Sequence, residues 1–225
     1  QALNASLVEQ YTNMSAANLA YGAGAISEIM DTFWYVTKIH KVKEVYIGLN
    51  FNLFNEFNYS GKAAEAIQLL ESPERYLFSK YCYKSLYHII KAKLTGQATE
   101  FGKPKVSKEE FWQFQLDSTA VLFYNKYKYP DNYENDLKEI SSYCRENGMR
   151  LVFFIPPTHT DLQYRVKDFG LEKEEQAFKT FLTSLGNMYD FDYPNEMTKS
   201  YDNFQDPFHF NDSISRVVIE SIVKR

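Results

Sequence analysis

Near the end of the chain, Asp206-Pro-Phe-His209-Phe-Asn211 places a carboxylate three residues before an imidazole. At the entrance of a helix that spacing brings the Asp206 carboxylate beside one ring nitrogen of His209. It orients the ring as a general base and stabilises its protonated form. Two members of a hydrolase triad are thereby present; the competing reading is a surface loop in which both residues merely cap the helix. His159, in Ile155-Pro-Pro-Thr-His159, follows a short apolar run and could enter a site, although a histidine beside Pro-Pro also suits a solvated or capping role. His40 sits near a helix C-terminus, where the dipole favours positive charge, and is read with His88 as structural. Exposed aromatic rings stack on sugar faces, and Trp112 and Tyr201 are the candidates for that role, on position alone.

These residues need a scaffold, and periodicity supplies one. Ile26, Ile29, Met30, Phe33, Trp34 and Thr37 recur at spacings of three and four, which predicts a helix over 26–40 starting at Gly24 or Ser27. The segment 43–50 reads as a buried strand, and 13–21, leading into Gly22-Ala-Gly24, as an earlier strand. Tyr133, Leu137, Ile140 and Cys144 share a helical face, Gly148 stops that helix, and 150–155 is a second buried strand closed by Pro156-Pro157. A charged helix over 161–185, a short strand over 187–192 and a C-terminal helix capped by Asn211 or Asp212 complete the alternation. Alternating helices and continuous apolar strands predict an α/β chain with a mainly parallel sheet covered by helices on both faces. The aromatic-rich segment 51–129, broadly helical over 76–94, reads as an insertion. In such a sheet ligands sit beyond the carboxyl ends of the strands, so the loops after Tyr21, Leu49, Ile155 and Asp192 carry the interest.

Composition narrows the function classes. The 225 residues hold 25 Lys and Arg against 29 Asp and Glu, a net charge of −4, which argues against a nucleic-acid partner. With 44% apolar and 17% aromatic residues, the chain can bury a sizeable core as one domain over 1–225. No apolar run approaches the roughly 18 residues of a membrane helix. Cys82 and Cys144 lack metal or scaffold spacing and read as free thiols, and the sequons at Asn4, Asn13, Asn58 and Asn211 carry little weight in an Asn-rich chain. No P-loop, dinucleotide fingerprint or clustered ligand set occurs, so neither metal nor cofactor is expected. The charge alternation over 167–179 reads as a solvated helix face with i,i+4 pairs.

The order of these features resembles the SGNH (GDSL-type) hydrolase superfamily. Asp206-Pro-Phe-His209 before the last helix looks like its block V, Gly22-Ala-Gly24 like block II and Gly48-Leu-Asn50 like block III. The resemblance implies a flavodoxin-like three-layer α/β/α fold and an oxyanion hole built from Gly24 and Asn50. Block I, an apolar strand ending in Gly-Asp-Ser or Gly-Ser-Ser, has no match before Gly22, and neither Ser6 nor Ser15 follows an apolar strand and Gly. The nucleophile is therefore expected upstream of Gln1, together with an N-terminal membrane helix. The aromatic insertion and the Asp-Pro-Phe-His-Phe block look most like bacterial extracytoplasmic members that O-acetylate polysaccharides and, more distantly, like teichoic-acid D-alanylation proteins. This implies a tethered monomer working beside a membrane-bound O-acyltransferase. A serine would attack an acyl donor and pass the acyl group to a polysaccharide or cell-wall polymer, or to water. Two other readings compete: an inactive SGNH-like domain that binds polymer or a membrane partner, and a flavodoxin- or receiver-like binding domain. The last is disfavoured because the first strand lacks a phosphate-binding or acidic loop.

Overall fold

The structure, a computed structural model, describes residues 3–20, 24–96 and 106–224. Helix α1 (Ala5–Thr12) is capped by the Asn4 side chain and ends at Asn13, which takes a left-handed conformation (φ 55°). The strand expected over 13–21 does not form among the described residues. The segment after Asn13 has neither apolar alternation nor a β-branched residue and is mostly exposed, and its local bond runs from Ala16 N–H to the Glu9 carboxylate rather than to a strand. Tyr21, Gly22 and Ala23 lie outside the described residues.

Helix α2 (Ile26–Ile39) follows, its start fixed by Glu28, whose buried carboxylate accepts from Ala25 N, Lys62 N, Ala63 N and the Ser60 hydroxyl. Next come β1 (Glu44–Gly48), α3 (Lys62–Glu71), α4 (Pro73–Leu77) and α5 (Lys80–Thr95). The helix expected over 76–94 is thus two, divided where Ser79 turns extended and caps α5 through Cys82 N. Helix α6 (Lys108–Phe114) runs through a π-helical turn at Gln115–Thr119 into α7 (Ala120–Tyr124). Helix α8 (Asp131–Glu146) leads through Gly148, with φ +64°, to β2 (Arg150–Ile155). The charged helix expected over 161–185 is also two, α9 (Thr160–Asp168) and α10 (Glu172–Ser184), parted at Gly170 with φ +67°. Then follow β3 (Asn187–Asp190), α11 (Glu196–Lys199), β4 (Phe204–Asp206), β5 (His209–Phe210) and α12 (Asp212–Val223).

Strands β1, β2 and β3 form a parallel sheet in that order, with Gly48 opposite Phe154 and Ile155 opposite Asp190. Successive residues Val152 to Ile155 are all buried, which requires cover on both faces of the central strand. At Gly48 the need is for space: a Cβ there would stand 2.6 Å from the Phe154 ring. The fold is thus mixed α/β with a small parallel sheet and a preponderance of helix.

The segment read as an insertion divides in two. Phe51, Phe54, Trp112, Leu116, Ala120 and Tyr124 are buried in the common core, and Phe54 packs on Phe178 of α10 at 4.9 Å between ring centroids. By contrast, α5 buries none of its residues. The charge run over 167–179 also departs from a fully solvated face. Lys179 is mostly buried, paired with Glu175 at 3.3 Å and Asp190 at 3.0 Å, and donates to the Asp192 carbonyl at 2.6 Å. Burial pulls its ammonium down, but the Asp190 and Glu175 charges outweigh that and leave it above its ordinary value.

Candidate active site

The carboxyl ends of the three parallel strands are laced together by their own loops. After β1, the Asn50 amide reaches the Pro156 carbonyl beyond β2 at 3.5 Å. After β2, Thr158 donates its N–H (2.9 Å) and hydroxyl (2.6 Å) to the buried Asp192 carboxylate beyond β3, and Gln163 adds a third donor at 2.9 Å. Burial nonetheless raises the Asp192 carboxyl above its usual range, against the lowering effect of Thr158. His159 N–H donates to the Pro207 carbonyl at 2.9 Å, which fastens the β4–β5 hairpin to the same end of the sheet.

That hairpin carries the Asp206–His209 pair. Its strands are antiparallel, with Asp206 opposite His209 and Pro207-Phe208 as the turn. Phe204 and Phe210 are each 1% exposed and anchor it in the core. Asp206 Oδ1 accepts from Phe208 N–H at 2.8 Å, an Asx-turn bond that fixes the carboxylate. His209 Nδ1 lies 2.9 Å from Asp206 Oδ1 and 2.8 Å from Oδ2. Because a carboxylate only accepts, Nδ1 carries the hydrogen and Nε2 keeps its lone pair. Asp206 is buried, whereas the His209 side chain is 49% exposed. A buried acid, a tautomer fixed through Nδ1 and an accessible Nε2 are the requirements for a general base. Immediately afterwards, Asn211 caps α12 by accepting from Ile214 N–H.

His159, Trp112 and Tyr201 come together in one cluster behind the hairpin. His159 Nδ1 accepts from Asp161 N–H at 3.1 Å, capping α9, and its Nε2 donates to the Lys199 carbonyl at 3.2 Å. Trp112, also buried, donates its indole N–H to Asp161 Oδ2 at 3.0 Å and meets the His159 ring edge-on at 4.7 Å. Tyr201 tilts on Trp112 at 4.4 Å, with the Lys108 ammonium 3.8 Å above its ring. Of the three, Tyr201 alone is partly open to solvent; the other two have their polar atoms engaged inside the protein. Phe204 touches His159 at 5.5 Å, so the cluster bears on the hairpin from behind.

The remaining candidates are placed less directly. Asn50 stands at the sheet end with its amide on Pro156, and its own carbonyl accepts from Leu53 and Phe54 to start a 3-10 turn at Phe51–Leu53. Gly24 stands just before Ala25, the N-cap of α2; the rest of the Gly22-Ala-Gly24 loop lies outside the described residues. Among the described residues no serine hydroxyl bonds His209, and no group of three acidic, histidine or cysteine side chains is placed to hold a metal ion. No helix among them is long and apolar enough to cross a membrane.

Sequence reasoning missed Asp192, Thr158 and Lys179, which hold the sheet end together. Thr158 and Asp192 lie 34 residues apart and share no motif, so no local signal joins them. The Asx turn was within reach, because Asp-Pro is a turn-initiating pair. Compared with protein-family models, curated proteins and solved structures, the chain gives no match.

Proposed function

We propose that this chain carries the base of an SGNH-type O-acyltransferase or esterase that modifies a bacterial cell-surface polysaccharide or cell-wall polymer outside the cytoplasm. The observation that carries the reading is the hairpin at the carboxyl end of the sheet, with buried Asp206 on Nδ1 of a half-exposed His209. In this reading His209 Nε2 takes the proton of a serine hydroxyl as that oxygen attacks the acyl carbon. The imidazolium, held by Asp206, then returns the proton to the leaving group. A polymer hydroxyl or water resolves the acyl-enzyme by the reverse sequence, with His209 again as base. Asn50 and Gly24 are the proposed oxyanion donors, which for Asn50 requires its long contact to Pro156 to yield to substrate. The nucleophile is a serine preceding Gln1, and the proposed partner is a membrane-bound O-acyltransferase that delivers the acyl group.

The reading is tested on the natural full-length protein with a fluorophosphonate probe. Labelling of one serine in the wild type, lost in His209→Ala with an unchanged thermal unfolding midpoint, is the expected result. His209 is half exposed and outside the core, so this replacement leaves the fold intact. Serine labelling that persists undiminished in His209→Ala refutes the base assignment. A second reading, an inactive SGNH-like domain that binds polymer or a membrane partner, draws on the absence of a serine at His209 among the described residues. Failure of the wild type to label at all replaces the first reading with this one.

A further inference from the structure

Helix α5 is well made at both ends yet contributes nothing to the core. Ser79 caps its first turn and Gly96 closes it in the left-handed conformation, but none of its residues is buried. At 100° per residue Tyr83, Leu86, Tyr87, Ile90 and Leu94 fall on one face, at the i, i+3, i+4, i+7 spacing of an apolar stripe. These five side chains are between 48% and 81% exposed. By the same count Lys80, Lys84 and Lys91 run along one edge of that face and Lys93 along the other, while Tyr81, Ser85, His88 and Ala92 lie opposite it. An amphipathic helix whose apolar face looks away from its own protein is built to be covered by something else.

Charge decides what covers it. From Arg75 to Thr95 the chain holds five cations and no Asp or Glu, in a protein whose net charge is −4. A second copy laid against this face would bring the eight lysines of two α5 helices together with no acid in either helix, the acid that pairs Lys80 being Glu65 of α3 at 3.7 Å. A bilayer bearing anionic headgroups supplies both the apolar cover and the countercharge. At 16 residues, about 24 Å long at 1.5 Å per residue, and with four lysines, α5 is too short and too polar to span. It suits a position in the plane of the interface, and Tyr83 and Tyr87 are the residue type enriched at that depth.

We infer that α5 is a membrane-surface helix that docks this protein on an anionic bilayer through the Tyr83–Leu86–Tyr87–Ile90–Leu94 face. The inference is independent of the chemistry proposed for His209. The test is co-sedimentation of the 225-residue chain with vesicles of phosphatidylcholine and phosphatidylglycerol in equal parts, against phosphatidylcholine alone. Binding at least about tenfold tighter to the anionic vesicles, and weakened by salt, is expected. Leu86→Asp/Ile90→Asp abolishes it without lowering the thermal unfolding midpoint, since both side chains are exposed. The triple Lys84→Gln/Lys91→Gln/Lys93→Gln weakens it about a hundredfold, at about tenfold or less per lysine. His209→Ala binds like the wild type. No binding to anionic vesicles, equal binding to both kinds, or binding indifferent to both sets of variants overturns the inference. So does a dimer in sedimentation equilibrium that Leu86→Asp/Ile90→Asp dissociates, which would make a second copy the occupant.

Discussion

Replacing Asp206 by Asn keeps the shape of the hairpin and inverts the chemistry presented to His209. Phe208 N–H holds one Asp206 oxygen at 2.8 Å, so in Asp206→Asn that position must remain the amide oxygen. The amide nitrogen then faces His209 Nδ1 at the place where Oδ2 now stands 2.8 Å away. That nitrogen only donates and so favours Nδ1 as an acceptor with the hydrogen on Nε2, while the retained oxygen, 2.9 Å from Nδ1, still accepts from an Nδ1–H. The magnitude follows from the two bonds. A hydrogen bond to a carboxylate contributes about 1.5–3 kcal/mol, and with His209 half exposed the lower end applies, about tenfold in favour of Nδ1–H. In the variant the amide nitrogen and the amide oxygen each offer a neutral bond of about 1 kcal/mol to opposite tautomers, so the two nearly cancel. The tautomer ratio therefore shifts about tenfold between the two proteins, by loss of the carboxylate bond. Long-range proton–nitrogen correlation spectra of the nitrogen-labelled chain read that ratio directly. Only four histidines contribute, and His209→Gln assigns the relevant signals by removing them. A wild-type ring with its hydrogen on Nε2, or a variant ring unchanged from the wild type, refutes the orientation of the base. If the acyl-transfer chemistry holds, Asp206→Asn also lowers turnover of the full-length protein by about 10⁴.

Two further outcomes test the scaffold that holds this pair. Burial pushes the Cys144 thiol up to about 11, whereas Cys82 is half exposed. In the native protein at pH 8, Cys144 is expected to react with a disulfide reagent at least about a hundredfold more slowly than an ordinary thiol, from its thiolate fraction alone. The two rates converge in denaturant, and equal native rates would contradict the packing of α8 on the sheet. Gly48→Ala sets a methyl group 2.6 Å from the buried Phe154 ring, and is expected to lower unfolding free energy by about 1–3 kcal/mol in urea titrations. A change below about 0.5 kcal/mol would show that the ring gives way freely.

Much of the scaffold was legible locally. The helices at Ile26–Ile39, Asp131–Glu146 and Asp212–Val223 and the strands at Glu44–Gly48, Arg150–Ile155 and Asn187–Asp190 stand where periodicity placed them. In each case one run of residues both forms the element and supplies the face that packs. The misreadings share a cause. The segment after Asn13 holds no apolar alternation and forms no strand, and the periodicity that predicts two long helices runs on across Ser79 and Gly170, where each divides. Each boundary is set by a single residue's backbone conformation, to which a face-averaged pattern is blind. The segment 51–129 looked uniform in its aromatic content, yet Phe51, Phe54 and Trp112 are core whereas Tyr83, Tyr87 and Leu94 face outward. Burial depends on what lies opposite a side chain, and composition does not carry that information.

For the candidate site, the chain by itself determined the pairing of Asp206 with His209 and the cap at Asn211, because partners three residues apart at a turn meet through local geometry alone. Only the tertiary structure decided that this hairpin sits at the carboxyl end of the sheet, through a bond from His159 to Pro207, and that Asn50 meets Pro156 and Thr158 meets Asp192. It also decided that His159 and Trp112 face inward with their polar atoms spent on Lys199 and Asp161. Those contacts join residues 34 to 106 positions apart, or depend on the side from which an element packs. Their energies arise only when the chain closes on itself, so no local spacing could announce them.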